Sequence, residues 1–305
     1  MGNPEFARYH LEKIVGANFN IVAVISAPDK PGGRGLQLQE TPVTTYAKSM
    51  NIPCLQPKNL KNEAFLKTLK DLDADIQIVI AFRMLPKVVW NMPAMGTINL
   101  HASLLPQYRG AAPINWAIIN GEKTTGVTTF RLQHEIDTGG ILLQKECSIE
   151  PQDNAGTLHD KLMVLGANTM IETLEKLFQK TLHEKPQIEL KQLKSAPKLY
   201  TQNTTIDWNQ KGQDILNFIR GLNPYPSAHY TFNGKKMQIF EARFYEKEHK
   251  KERGLFFSDQ KKYIAVSVLD GYVYLECIKL QGKRKMNITD FLNGYNTTDL
   301  LPLKL

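Results

Sequence analysis

The chain has 305 residues, 42% hydrophobic and 22% charged, with a formal net charge of +8. That length suits two domains with a sizeable core, and the composition is that of a globular protein rather than a disordered or fibrous one. With no apolar run of about 18 residues and no basic-then-apolar leader, neither a membrane span nor a secretory signal is expected.

In chain order, Phe19–Ser26 (FNIVAVIS) reads as a strand that ends in the Gly-rich loop Pro28–Gly35. Thr41–Met50 reads as a helix with Pro42 in its first turn, and Asn62–Leu72 as an amphipathic helix. Ala74–Ala81 (ADIQIVIA) is a buried strand, and Gly96-Thr97-Ile98 opens a short one that runs on into Asn99-Leu100-His101. Ala112–Asn120 is a helix with Pro113 at its start, Val127–Leu132 a β-branched strand, and Gly156–Gln179 a long helix. This alternation predicts an α/β fold, a Rossmann-like, doubly wound, mostly parallel sheet, over residues 1–183. Residues 184–209, where periodicity lapses, read as a linker. Asp214–Leu222 is a short helix. Strands at Tyr230–Phe232, Met237–Phe244, Tyr263–Leu269 and Tyr272–Leu280 predict a small β-barrel in residues 210–305.

Residues i and i+2 of a strand share a face, so Asn99 and His101 look the same way. They stand where doubly wound sheets bind ligands, beyond the C-terminal ends of strands. Downstream of the next strand comes His134-Glu135-Ile136-Asp137-Thr138-Gly139-Gly140. An Asp before Thr-Gly-Gly is ordinary turn chemistry by itself. Beside an imidazole and an amide it is also a carboxylate that could orient the ring. No Ser or Cys sits in a nucleophile motif, so the set suits direct acyl transfer to an amine: the imidazole moves a proton and the amide N–H holds the oxyanion. Cys54, Cys147 and Cys277 lie far apart, fit neither a zinc site nor a disulfide framework, and suit a reducing cytoplasm. Residues 207–305 carry +5 of the net charge, which points to an anionic partner or to a solvated basic surface.

Asn-x-His-x-Ser-Leu-Leu-Pro-x-Tyr-Arg-Gly from Asn99, followed by Asp137-Thr138-Gly139, resembles the folate-dependent formyltransferases. Gly2–Ala7, Pro28–Gly35, Ile206-Asp207-Trp208 and Asn223-Pro224-Tyr225-Pro226 extend the resemblance over nearly the whole chain, toward the branch acting on methionyl initiator tRNA. The resemblance implies Asn99, His101 and Asp137 as the catalytic trio and 10-formyltetrahydrofolate as cosubstrate, with no metal. It implies a folate site formed by Ser103, Leu104, Leu105 and Pro106, walled by Phe82, Arg83, Met84, Leu85, His134 and Gly139. It implies that Arg34, Lys30 and Arg109 meet the tRNA, that the C-terminal barrel is of the oligonucleotide-binding (OB-like) type, and that the protein is a cytoplasmic monomer without membrane attachment. Arg83, where relatives often carry Gly, either pairs with the folate's glutamate tail or points outward. Glu135, in place of a frequent Gly, puts a second carboxylate near the trio. Met1-Gly2 matches the end of the family's first strand, so residues ahead of it are expected to be missing. Formyl transfer to a nucleotide sugar or other small amine, and a noncatalytic RNA-binding role, are the alternatives.

Overall fold

The computed structural model describes residues 1–32, 37–188, 192–232 and 234–294. The chain divides into two compact units. One holds Met1–Arg109, Gly126–Cys147 and Asp160–Lys194; the other holds Gly110–Thr125, Ser148–His159 and the chain from Ser195 onward. Among the described residues no helix is long and apolar enough to cross a membrane.

The first unit is built on β1 (Val24–Ile25), β2 (Cys54–Leu55), β3 (Gln77–Val79), β4 (Thr97–His101), β5 (Thr124–Arg131) and β6 (Ile141–Ser148). β1 pairs parallel with β2 and β3 parallel with β4, but β5 runs antiparallel to β4, with β6 beyond it. The α/β arrangement is therefore mixed, not mostly parallel. The 132–140 connection between β5 and β6 is too short for the crossover that a parallel pair requires. The helices form where caps and periodicity place them. Thr41 Oγ1 accepts the Thr44 N–H ahead of Pro42–Ser49, and Asn62 Oδ1 accepts the Phe65 N–H ahead of Glu63–Asp71. The Glu5–Gly16 helix has no counterpart in the sequence reading, because its inward face includes the polar His10 beside Phe6, Ala7 and Ile14.

Met1 and Gly2 join the two parallel pairs. The Gly2 N–H donates to Ile25 O at 3.1 Å, the Ile80 N–H donates to Met1 O at 3.0 Å, and Gly2 bridges Ile80 in parallel. Beyond Met1 the space between residues 18–25 and 73–78 is open, a cavity of about 590 Å³ floored by Leu174 and Phe178. Ile21, Val22, Ile76 and Ile78 line it and are only half-buried. This is why the strands expected over 19–26 and 74–81 shorten to Val24–Ile25 and Gln77–Val79. Their outer portions have no backbone between them to close a ladder.

The second unit carries β7 (Ala228–Phe232), β8 (Lys235–Glu246), β9 (Phe256–Ser258), β10 (Ile264–Ser267), β11 (Gly271–Leu280) and β12 (Met286–Asn287). They pair antiparallel in the order β7-β8-β11-β10-β9, with β12 on β11. The closed barrel expected from the strand spacing is not present among the described residues. β7 and β9 end the path without pairing to each other, and closure requires that last ladder. One face of the sheet packs on the Gly212–Leu222 helix through Ile215, Ile219 and Leu222 against Met237, Ile239 and Val273. Asp270 Oδ1 accepts the Gly212 N–H at 2.8 Å and so supplies this helix with a carboxylate at its positive end. The Pro113–Ile119 helix belongs to this unit, its Asn115 side chain donating to Gly221 O at 2.7 Å.

Candidate functional site

β4 sets the site. In its register Asn99 stands opposite Val79 and Phe130, and His101 opposite Thr128. Ile98 and Leu100 are buried, while Asn99, half-exposed, and His101 share a strand face. Asn99 is the more accessible of the two.

His101 is held at both ring nitrogens. Nε2 lies 2.8 Å from Tyr108 O; a carbonyl only accepts, so Nε2 carries the hydrogen. Nδ1 lies 3.8 Å from Asp137 Oδ2, longer than a hydrogen bond but within ion-pair reach, and the two side chains are 8% and 11% exposed. At that burial a carboxylate acts on an imidazole with little water to screen it. Tyr108, which sequence reasoning did not single out, thus sets the ring's tautomer through its backbone. Only its place in the Tyr-Arg-Gly stretch hinted at it.

Three non-glycine residues with left-handed backbone lie in the site loops: Ala81 at φ 48°, Tyr108 at φ 61° and Asp137 at φ 55°. Each is a conformation that costs free energy for a residue with a Cβ. The 133–140 loop is pinned at its far end, where the Arg131 N–H donates to Gly140 O at 3.0 Å. A Cβ on Gly139 would lie 1.6 Å from Arg131 O, so only glycine passes there.

The Ser103–Pro106 turn is stapled to β5 and β6. Ser103 Oγ donates to Gln107 O at 2.7 Å, Thr128 Oγ1 donates to Ser103 O at 2.6 Å, and the Leu105 N–H donates to Thr128 Oγ1 at 3.1 Å. Gln144 Nε2 completes the staple at Leu105 O. Leu105 is buried; Leu104 and Pro106 are half-buried and present apolar surface.

Phe82 packs on the same apolar cluster as Leu132, the residue that leads into the 133–140 loop, and Leu85 is buried within that cluster. Met84 and Ile136 are exposed at 74% and 60%. His134 is exposed and Gly139 buried. Arg83 turns to the neighbouring loop, where its guanidinium donates to the carbonyls of Pro57 and Lys58. Lys30 lies exposed in a short strand (Lys30–Gly32) paired with Gln37–Gln39. Arg109 donates through Nε and Nη2 to Gln187 Oε1 at 3.1 and 2.6 Å. Arg34 lies outside the described residues. The structure therefore brings His101, Asp137 and the Ser103–Pro106 turn together with Asn99 alongside, and holds the Arg83 head group on Pro57 and Lys58.

The arrangement offers a buried imidazole with one nitrogen facing a carboxylate, an amide residue on the same strand face and a turn of apolar and backbone groups at Ser103–Pro106. That is equipment for moving a proton while charge develops on an adjacent oxygen.

A formyl transferase family pattern matches residues 1–174, and a formyl transferase C-terminal domain pattern matches residues 198–296. The chain is 50% identical to a methionyl-tRNA formyltransferase of Parabacteroides distasonis, across 97% of this chain and 94% of that protein. It is 48% identical to one of Flavobacterium johnsoniae, across 98% and 96%. Its fold resembles an N-formyltransferase from Helicobacter canadensis solved with folinic acid and dTDP-3-aminofucose, at a TM-score of 0.67 and 20% identity over 93% of this chain and 97% of that one. HypX from Aquifex aeolicus, solved with tetrahydrofolic acid, superposes at a TM-score of 0.58 and 20% identity over 84% of this chain and 44% of its own.

Proposed function

This chain belongs to the formyl transferase family, and from that premise we propose that it moves the formyl group of 10-formyltetrahydrofolate onto the α-amine of methionyl initiator tRNA, acting in the cytoplasm as a monomer and supporting translation initiation. One observation carries the reading beyond family membership: the His101–Asp137 pair, buried beside Asn99 at the end of β4. The parallel pairs flanking Met1-Gly2 support a Rossmann-like, doubly wound organisation of the first unit. The +5 charge of residues 207–305 supports a polyanionic substrate.

In this mechanism the bond from the amine nitrogen to the formyl carbon forms as the bond from that carbon to the folate nitrogen breaks. The amine sheds a proton, and the folate nitrogen gains one. Nδ1 of His101, the nitrogen not committed to Tyr108, takes the first proton, and the charge this creates is balanced by Asp137. The Asn99 amide donates to the formyl oxygen as negative charge gathers there. Ser103 to Pro106, with Phe82, Met84, Leu85, His134 and Gly139, border the planar pterin with apolar surface and backbone groups. Arg83, drawn onto Pro57 and Lys58, stiffens that wall. The experiment incubates the protein with formyl-folate and separately charged initiator and elongator methionyl-tRNAs, with a dTDP-aminosugar as control, and follows formyl-methionine by mass. Formylation of the initiator tRNA above the elongator is expected; formylation of the sugar alone overturns the reading.

The Arg34 loop supplies a second prediction. Three glycines around one arginine cannot pack a core, and a planar multidentate cation suits phosphates or splayed terminal bases. Arg34→Ala should lower kcat/KM for charged initiator tRNA by about 5- to 150-fold, the worth of one good arginine contact. Slow hydrolysis of formyl-folate without tRNA should stay unchanged. Undiminished use of charged tRNA at moderate salt removes Arg34 from its recognition, and with it the parallel assignment of Lys30 and Arg109 loses its anchor.

A further inference from the structure

The segment that follows the long helix, expected from composition to open a linker, forms the back of the catalytic loop. Lys185 pairs with Ile141 through two hydrogen bonds of 2.7 and 2.9 Å, and Glu184 Oε2 accepts from Arg131 Nε at 2.9 Å. This fixes Gln187 beneath the turn that carries Asp137. There Gln187 Nε2 donates to Asp137 O and to Gly139 O, both at 2.8 Å. Its Oε1 accepts the two Arg109 hydrogen bonds described above.

We propose that Gln187 is a positioning residue for formyl transfer, holding Asp137 in the left-handed conformation that turns its carboxylate to His101. The inference rests on the function proposed above. The residue type follows from the chemistry of its neighbours. On one side stand two carbonyls that only accept, and on the other a guanidinium that only donates. A carboxylate would set oxygen against two carbonyl oxygens, and an ammonium would set charge against the guanidinium. An amide alone satisfies both sides, and its orientation is fixed by the arginine. The hold matters because Asp137 pays for its φ of 55°; Thr138 Oγ1 donating to Glu135 O at 3.1 Å and the Arg131 N–H donating to Gly140 O anchor the turn on either side of it. Loosening the Asp137 carbonyl frees the residue to relax to a right-handed or extended backbone, which swings the carboxylate off the imidazole.

The test is a double-mutant cycle in steady-state formylation of charged initiator tRNA, using the whole protein. Gln187→Glu keeps the Arg109 contact and loses both donated bonds; Gln187→Met loses all of them. Both should lower kcat by about tenfold, with KM for formyl-folate and for tRNA within about twofold of the parent and the melting temperature little changed. In an Asp137→Asn background, where the carboxylate is already gone, either Gln187 change should lower the residual kcat by less than about twofold. A tenfold loss that persists in the Asp137→Asn background overturns the proposal, because Gln187 would then act on the fold at large. So does parental kcat in Gln187→Glu. A parent that formylates no charged tRNA sinks the proposed function itself and this inference with it, an outcome distinct from an active parent indifferent to Gln187.

Discussion

His101→Asn lowers kcat for formylation of charged initiator tRNA by about a hundredfold or more, with the KM for formyl-folate nearly unchanged; this is the expected result for loss of a proton acceptor. The ring is buried, its Nε2–H is committed to Tyr108 O, and only Nδ1 is left to accept. Asparagine keeps an amide at the Nδ1 end of the ring but has no atom at the Nε2 position, so the melting temperature and the formyl-folate KM are read beside kcat to separate lost basicity from the lost Tyr108 contact. Asp137→Asn should cost a comparable factor by removing the charge 3.8 Å from Nδ1 while keeping the turn, since Asn tolerates left-handed backbone as well as Asp does. Asn99→Ala removes the amide donor and should raise the barrier by about 3 kcal/mol. Rapid-quench formation of formyl-methionyl-tRNA measures all three. Parental turnover in His101→Asn removes His101 from the chemistry, and a KM defect alone in Asn99→Ala assigns Asn99 to binding.

The second large effect is on stability, and it comes from the open slot ahead of Met1. Extending this chain at its N-terminus by about five alternating Val and Ile residues should give the backbones of residues 19–23 and 74–76 a ladder partner. It would also cover Ile21, Val22, Ile76 and Ile78. Each aliphatic side chain so buried contributes on the order of 1.5–3 kcal/mol, so the melting temperature should rise by many degrees.

The same extension should change how stability depends on pH. In the slot the Met1 ammonium group is buried against Ile78 O at 2.6 Å, and burial lowers its pKa from 8.0 to about 5. Between those values the unfolded chain binds a proton that the folded chain does not, so this group makes stability fall as pH drops from about 8 to about 5. The loss levels off below that. An extended chain carries its amine out to solvent and should lose this slope. Urea unfolding of both chains at several pH values across that window is the measurement. Equal melting temperatures and parallel pH slopes would show that the slot does not accept a strand.

Much of the first unit and of its site was legible in the sequence because the signals are local. Proline and cap residues place the helices at Pro42–Ser49, Glu63–Asp71 and Pro113–Ile119. The period of two along β4 puts Asn99 and His101 on one face whatever surrounds them. Asp-Thr-Gly-Gly announces a tight turn, and the Asn99–Gly110 run with Asp137 carried the family. What tertiary structure alone decided is whatever depends on a partner distant in the chain. Strand length is one such property: FNIVAVIS has strand composition throughout, yet its ladder forms at Val24–Ile25, at the end that lies against Cys54–Leu55 and Gly2. Closure of the second sheet is another, since short, evenly spaced strands are common to barrels and open sheets, and what separates them is a β7–β9 ladder, absent among the described residues. The tautomer of the His101 ring depends on Tyr108 O, a backbone atom with no side-chain signature. Gln187 sits in a stretch without periodicity, and its reach to Asp137 exists only because Lys185 pairs with Ile141 across the fold. Residue types determined which chemistry this chain could hold; the hydrogen bonds between distant segments decided which atoms face each other to perform it.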